Sequence, residues 1–281
     1  MSENKYISQS GNIINDSNSG GIEHNRGFLY GDGFFESMHW HQNDILFLND
    51  HLERINRGLK ILHLDPLAID FTKLIDEIKQ LISLNKIADD ARIRLTFYRA
   101  AGGTYAPVTN KTEWLITVSA LNTIGFKLNE RGLHISIFSE QKKTTSSIST
   151  IKSLNSLVSV LAGRYANEHQ LDDALLINTS DSVIEGYNAN LFIISNDQLI
   201  TPPLSDGCID GMMRKQVMQI ATKLYIACSE SSLSQKTIEN AEEIMLTNAV
   251  QGIRWVEKMG SNIYQNQIIK TIFNELVRRI S

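Results

Sequence analysis

Ile151-Lys152-Ser153-Leu154-Asn155 follows a polar Ser/Thr stretch, and further along the chain comes Val183-Ile184-Glu185-Gly186-Tyr187-Asn188-Ala189-Asn190-Leu191-Phe192. The first run presents a lysine with no acidic neighbour in sequence to hold it charged. The second ends an apolar, strand-like stretch on a glutamate. A lysine amine that can attack an aldehyde, followed by a carboxylate that can sit under a pyridine nitrogen, is the pair that pyridoxal 5'-phosphate (PLP) chemistry requires.

Working outward, the chain has 281 residues, enough for one large or two medium domains with sizeable cores. It is 42% hydrophobic and 21% charged with a net charge of -4, which gives no reason to expect nucleic acid or a membrane surface as partner. Cys208 and Cys228 are too few for a disulfide framework and lack metal-ligand spacing, so they read as reduced thiols, and no metal is expected. No apolar run approaches a membrane span, and residues 1–19 lack an apolar signal core. The expected location is the cytoplasm.

Periodicity gives alternating strands and helices without internal repeats. Leu52, Ile55, Leu59 and Leu62 predict a helix over 49–62 behind an Asn/Asp cap, and residues 69–84 repeat the pattern. Ile93, Leu95 and Phe97 alternate with polar neighbours, as in a half-buried strand over 91–99, and residues 114–121 give another. Residues 122–131 are polar enough for a linker. Beyond it come strands at 133–138, 174–177, 190–201 (broken by an Asn196-Asp197 turn) and 243–247. Helices are expected at 156–169, 211–225 and 265–280. The reading is an α/β chain of two domains, 1–121 and 132–281, with the site in the cleft between them.

The cofactor's phosphate needs a cation and backbone N–H groups, best at a helix N-terminus. Arg54 on the first helix can supply the cation. Gly211-Met212-Met213-Arg214 opens a helix after a loop, and Thr247-Asn248-Ala249 adds a polar contact from a strand end.

These residues carry a resemblance. The chain resembles the fold-type IV PLP enzymes, the class-IV aminotransferase family, which includes branched-chain aminotransferases, D-amino acid aminotransferases and 4-amino-4-deoxychorismate lyases. Arg26-Gly27-Phe28-Leu29-Tyr30-Gly31-Asp32-Gly33-Phe34-Phe35-Glu36-Ser37 is similar to the family's opening segment. His51-Leu52-Glu53-Arg54, Lys152-Ser153-Leu154-Asn155, Glu185-Gly186 with Asn190-Leu191-Phe192, and Pro202-Pro203-Leu204 through Arg214 follow in the family's order. The resemblance implies a small N-terminal and a larger C-terminal domain, a homodimer, and PLP held by Lys152, Arg54, Glu185, Asn190, Met212, Met213 and Asn248.

Within the family, Asn155 followed by Ser156, and the 247–253 run, are unlike the branched-chain branch. Ala189-Asn190-Leu191-Phe192, Gly211-Met212-Met213-Arg214 and Thr247-Asn248-Ala249 resemble the lyases, and Ser37 falls where those lyases can carry a hydroxyl residue. The implied activity is conversion of 4-amino-4-deoxychorismate to 4-aminobenzoate and pyruvate, in folate biosynthesis, with Lys152 and Ser37 as catalytic residues. The alternative is an aminotransferase acting on D-amino acids or branched-chain L-amino acids. Arg99-Ala100-Ala101-Gly102-Gly103-Thr104-Tyr105 departs from the lyase loop, being one residue shorter with Thr104 near the usual arginine. Substrate contacts are therefore sought among Tyr30, Arg94, Arg99 and Tyr105, with His39 a further substitute.

Overall fold

Alternation and helical periodicity resolve into two sheets of unequal size in a computed structural model that describes residues 6–9, 12–15 and 21–280. The polar segment read at 1–19 lies outside the described residues apart from the backbone of a hairpin, β1 (Tyr6–Gln9) and β2 (Asn12–Asn15). A short helix, α1 (Arg26–Tyr30), leads into β3 (Gly33–His41) and β4 (Asp44–Ile45). Next come α2 (Leu48–Ile61), α3 (Phe71–Leu84), β5 (Ala91–Arg99) and β6 (Thr112–Ala120).

Strands β4-β3-β5-β6 form an antiparallel sheet. One face gathers Phe34, Met38 and Trp40 with Ile93, Leu95 and Phe97, covered by Ile55 and Leu59 of α2 and Leu74, Ile78 and Ile82 of α3. Each such side chain contributes about 1.5–3 kcal/mol on burial. The period-two alternation turns Phe35, Ser37, Arg92, Arg94 and Thr96 to the opposite face.

The second unit runs β7 (Leu133–Lys143), α4 (Leu157–Glu168), β8 (Asp173–Asn178), β9 (Val183–Gly186), β10 (Asn190–Ser195), β11 (Gln198–Thr201) and α5 (Met212–Lys223). It continues through β12 (Cys228–Glu230), α6 (Gln235–Glu239), β13 (Glu243–Asn248), β14 (Gly252–Met259), β15 (Asn262–Ile263) and α7 (Gln267–Ile280). The order is β12-β11-β10-β13-β14-β7-β8-β9, and β9 also pairs back onto β10. That pairing closes a ring around Leu175, Val183, Leu191, Ile193, Ile244 and Leu246. Strands lined on the inside by this core and on the outside by α4, α5 and α7 are apolar on both faces, which is why β8, β9 and β10 are buried almost throughout. The closure also sets Asn190 directly opposite Glu185.

Three local readings need correction. Asn49 and Asp50 do not cap α2: its N-cap is Phe47 at φ 56 with no side-chain cap, and Asp50 instead receives Lys215 and Gln216 of α5. Asp70 does cap α3, accepting the Lys73 N–H at 3.0 Å. β7 runs past 138 to Lys143, because its polar end still pairs with β8 after a register shift. β14 escaped the sequence reading, since Arg254, Glu257 and Lys258 interrupt its apolar residues. Residues 121–132 hold no helix or strand, but Phe126 is buried among α5 and α7 side chains. Among the described residues no helix is long and apolar enough to cross a membrane.

Candidate active site

The Lys152 segment is docked on the start of β3. The Phe35 N–H donates to the Lys152 carbonyl at 2.8 Å, and the Leu154 N–H to the Gly33 carbonyl at 3.0 Å. Asn155 Nδ2 donates to the Gly31 carbonyl at 3.0 Å. Gly31 has φ 63, and a Cβ there would stand 2.6 Å from Asn155 Oδ1; a Cβ on Gly33 would stand 2.2 Å from the Phe97 carbonyl oxygen. The Gly-Asp-Gly run is thus fixed by close approach. Between the glycines, Asp32 accepts from Arg26 Nε at 2.9 Å and Arg99 Nε at 3.0 Å.

Lys152 Nζ lies 4.7 Å from the centre of the Phe35 ring, and the Arg94 guanidinium lies 3.7 Å from the same ring. Burial pulls the Lys152 amine down and Arg54 and Arg94 add to it; Glu36 and Glu185 oppose them, leaving it at about 8. About a quarter of such amines are neutral at pH 7.5, against roughly one in a thousand for an ordinary lysine.

Glu185 is 3% exposed. Its Oε1 accepts from Lys143 Nζ at 2.6 Å and its Oε2 from the Ile209 N–H at 2.9 Å. Lys143 was missed by the sequence reading, and nothing in the local pattern singles it out from Lys142. Beside them Cys208 is buried, its thiol pushed up to about 12 by burial and by Glu185, so it is no nucleophile.

An anion cradle forms at the start of α5. Asn190 Nδ2 donates to the Ile209 carbonyl at 2.7 Å, and a Cβ on Gly211 would come within 1.8 Å of Asn190 Oδ1. Asn190 therefore shapes the loop. Met212 and Met213 open the helix, where first-turn N–H groups have no helical acceptor. Arg54 donates Nε and one NH2 hydrogen to Glu36 and NH1 to the Asp210 carbonyl at 3.0 Å. Three of a guanidinium's five N–H donors are engaged, so two remain for an anion. Thr247, opposite Asn190, has a buried hydroxyl without a hydrogen-bond partner among the described residues.

The substrate candidates divide. Ser37 lies opposite Arg94 on the Phe35 face of the sheet. Arg94 is half-buried and has no carboxylate partner among the described residues; burial, then Arg92, lower its pKa. Arg99 has four of its five N–H donors engaged elsewhere, by Asp32, Asn110 and the carbonyls of Leu62 and His63. His39 is held between the Val250 carbonyl at 2.9 Å and Asp90 at 2.6 Å, and Asp90 also takes His41 at 2.8 Å. Asn248 folds its side chain into its own turn, accepting the N–H of Val250 and Gln251. Tyr30 and Tyr105 touch, ring centres 5.6 Å apart, with Tyr105 exposed and Tyr30 lining a surface hollow with Arg26 and Gly102.

The family model described as Amino-transferase class IV matches residues 33–259. A protein named branched-chain-amino-acid aminotransferase from Methanocaldococcus jannaschii is 29% identical over 255 residues, covering 89% of this chain and 86% of that protein. The aminodeoxychorismate lyase of Bacillus subtilis is 26% identical over 227 residues, 80% of this chain and 76% of its own. Among solved structures, one from Legionella pneumophila named for 4-amino-4-deoxychorismate lyase superimposes with a TM-score of 0.82 at 26% identity, covering 91% of this chain and 93% of that one.

Proposed function

Since the chain belongs to the class IV aminotransferase family, whose members use PLP, we propose that it is a PLP-dependent 4-amino-4-deoxychorismate lyase that releases 4-aminobenzoate and pyruvate. The observation that carries this reading is the shared face of the first sheet, where Ser37 lies opposite Arg94, and Arg94 and Lys152 both lie against the Phe35 ring. The residues present fit the cofactor. The orphaned Thr247 hydroxyl, the two remaining Arg54 donors and the opening of α5 suit a phosphate, and Glu185 suits a ring nitrogen. Bound there, the cofactor supplies an aldehyde for amines and a protonated ring that accepts an electron pair.

This chain's side chains then do the rest. Lys152, an amine near neutrality, takes the proton from the amine-bearing carbon of the substrate. Glu185 would hold the cofactor through its ring nitrogen and balance the charge there. Arg94 pairs with a substrate carboxylate while the Phe35 ring packs against its guanidinium. Ser37 donates to the departing enolpyruvyl oxygen. Thr104, in place of the arginine common in lyase loops, favours the second reading, an aminotransferase for D-amino acids or branched-chain L-amino acids. A homodimer is part of the same proposal; Leu157, Val160 and Leu161, exposed at i, i+3 and i+4 on α4, form an apolar stripe that a second copy would cover.

The test supplies PLP-loaded protein with enzymatically generated 4-amino-4-deoxychorismate, and separately with D- and L-amino acids. Prompt pyruvate with no conversion of the cofactor to its amine form is the result expected. Conversion by amino acids without pyruvate release makes the protein an aminotransferase.

A further inference from the structure

Lys143 stands at the end of β7, beyond the point where its ladder to β8 has slipped. Its ammonium donates to Glu185 Oε1 at 2.6 Å and to the Ser149 carbonyl at 3.1 Å. Their side chains are 18% and 4% exposed, so the pair sits largely out of water. The turn holding Ser149 continues through Thr150, whose carbonyl takes the Asp210 N–H at 2.9 Å, and on to Lys152. One ammonium therefore ties the carboxylate to the turn that precedes the reactive lysine, and a backbone hydrogen bond ties that turn to the phosphate loop.

We propose that Lys143 is a positioning residue of this site: it fixes the Glu185 carboxylate and sets how tightly that carboxylate holds the proton on the cofactor's ring nitrogen. This rests on the reading of Glu185 given above. A cation in hydrogen-bond contact offsets part of the carboxylate's field, so the ring proton is held less firmly than by an unpaired glutamate. The other groups around Glu185 are Lys152 from the segment bridged to β3, and Cys208 and the Ile209 N–H from the phosphate loop, with Arg214 and Asp210 beyond. Cys208 carries no charge, and among the described residues Lys143 is the one cationic side chain that touches the carboxylate. The arrangement balances two demands: the ring must be protonated to draw electrons, and Glu185 must not become a trap for the proton.

The test loads the full-length protein with PLP labelled with nitrogen-15 in the ring, and follows the ring-nitrogen chemical shift against pH. Lys143→Met should raise the midpoint for loss of the ring proton by about one pH unit. Lys143→Arg should keep the wild-type midpoint, and Glu185→Gln should lower it. A wild-type midpoint in Lys143→Met, while Glu185→Gln still lowers it, overturns the Lys143 assignment and leaves the Glu185 reading standing. A midpoint that Glu185→Gln does not move overturns both. If Lys143→Met does not fold, Lys143→Gln keeps a donor for the Ser149 carbonyl and is read the same way.

Discussion

Glu36 joins the stability of the first sheet to the anion cradle, and Glu36→Gln tests that junction. The carboxylate is 1% exposed and accepts from His51 Nδ1 at 2.8 Å, from Arg54 Nε at 2.9 Å and from Arg54 NH2. Burial alone would push Glu36 up, but Arg54 and His51 outweigh it and hold it down to about 2, against 4.5 ordinarily. The gap, 4.5 − 2 = 2.5, corresponds to roughly 3 kcal/mol of stability at neutral pH. Because the folded value lies below the unfolded one, this stabilisation is complete above the unfolded value and is lost as pH falls through the folded one. At pH 3 about 2 kcal/mol of it is gone. Glu36→Gln keeps the shape and strands the Arg54 cation, so the variant should lose about 3 kcal/mol at pH 7, or on the order of 6–12 °C in Tm. Urea unfolding of both proteins at pH 7 and pH 3 measures the difference, which must narrow in acid. Equal stability at pH 7, or a gap unchanged at pH 3, refutes the ion-pair account of how Arg54 is held.

Three further outcomes follow from the same geometry. With Lys152 held at about 8, stopped-flow uptake of PLP should accelerate with pH and level off above that value; a midpoint near the ordinary 10.5 sinks the claim, as does uptake undiminished in Lys152→Ala. Arg94→Met should raise KM for a carboxylate substrate by about tenfold to a hundredfold, whereas Arg99→Met should mainly lower the melting temperature; steady-state kinetics showing the reverse would exchange their roles. Asp173, buried against Tyr187 and Arg254, is pushed up by burial to about 6 from 3.8, so wild-type stability falls as pH rises towards 6. Asp173→Asn should therefore gain on wild type by about 2 kcal/mol between pH 4 and pH 7.5 in denaturant melts, and a pH-independent difference would exclude the ionisation.

The residues proposed for the chemistry stand out in the sequence because each is bound to a local pattern. Lys152 and Glu185 sit in short runs whose neighbours have geometric duties: Asn155 reaches Gly31, and Asn190 seats against Gly211. The helices α2, α3 and α7 were readable because each buries one stripe against a sheet. The cap of α2 was not, since Asp50 makes its contact with Lys215, more than 150 residues away, and no local signal encodes that partner. The strands of the closed ring gave weak alternation because both of their faces are covered.

Arg94 and Arg99 show where a stronger reading was already in hand. Ile93, Leu95 and Phe97 set the parity of β5, and Arg99 shares that parity while Arg94 does not. On a strand of period two the pair must leave from opposite faces, so only one of them could stand beside Ser37. Arg99 goes with the core face, where an isolated guanidinium is tolerable only if carbonyls and a carboxylate surround it, as Asp32, Asn110, Leu62 and His63 do. Arg94 goes with Phe35 and has no carboxylate partner among the described residues. The same count fails at Lys143. Parity carried from Ile135 along β7 is broken by the register shift after Phe138, so the face on which Lys143 emerges depends on an irregularity that hydrophobic alternation does not encode. The slip that hid Lys143 from the sequence is also the feature that delivers its ammonium to Glu185, across a ladder whose regular continuation would have fixed its facing by alternation alone.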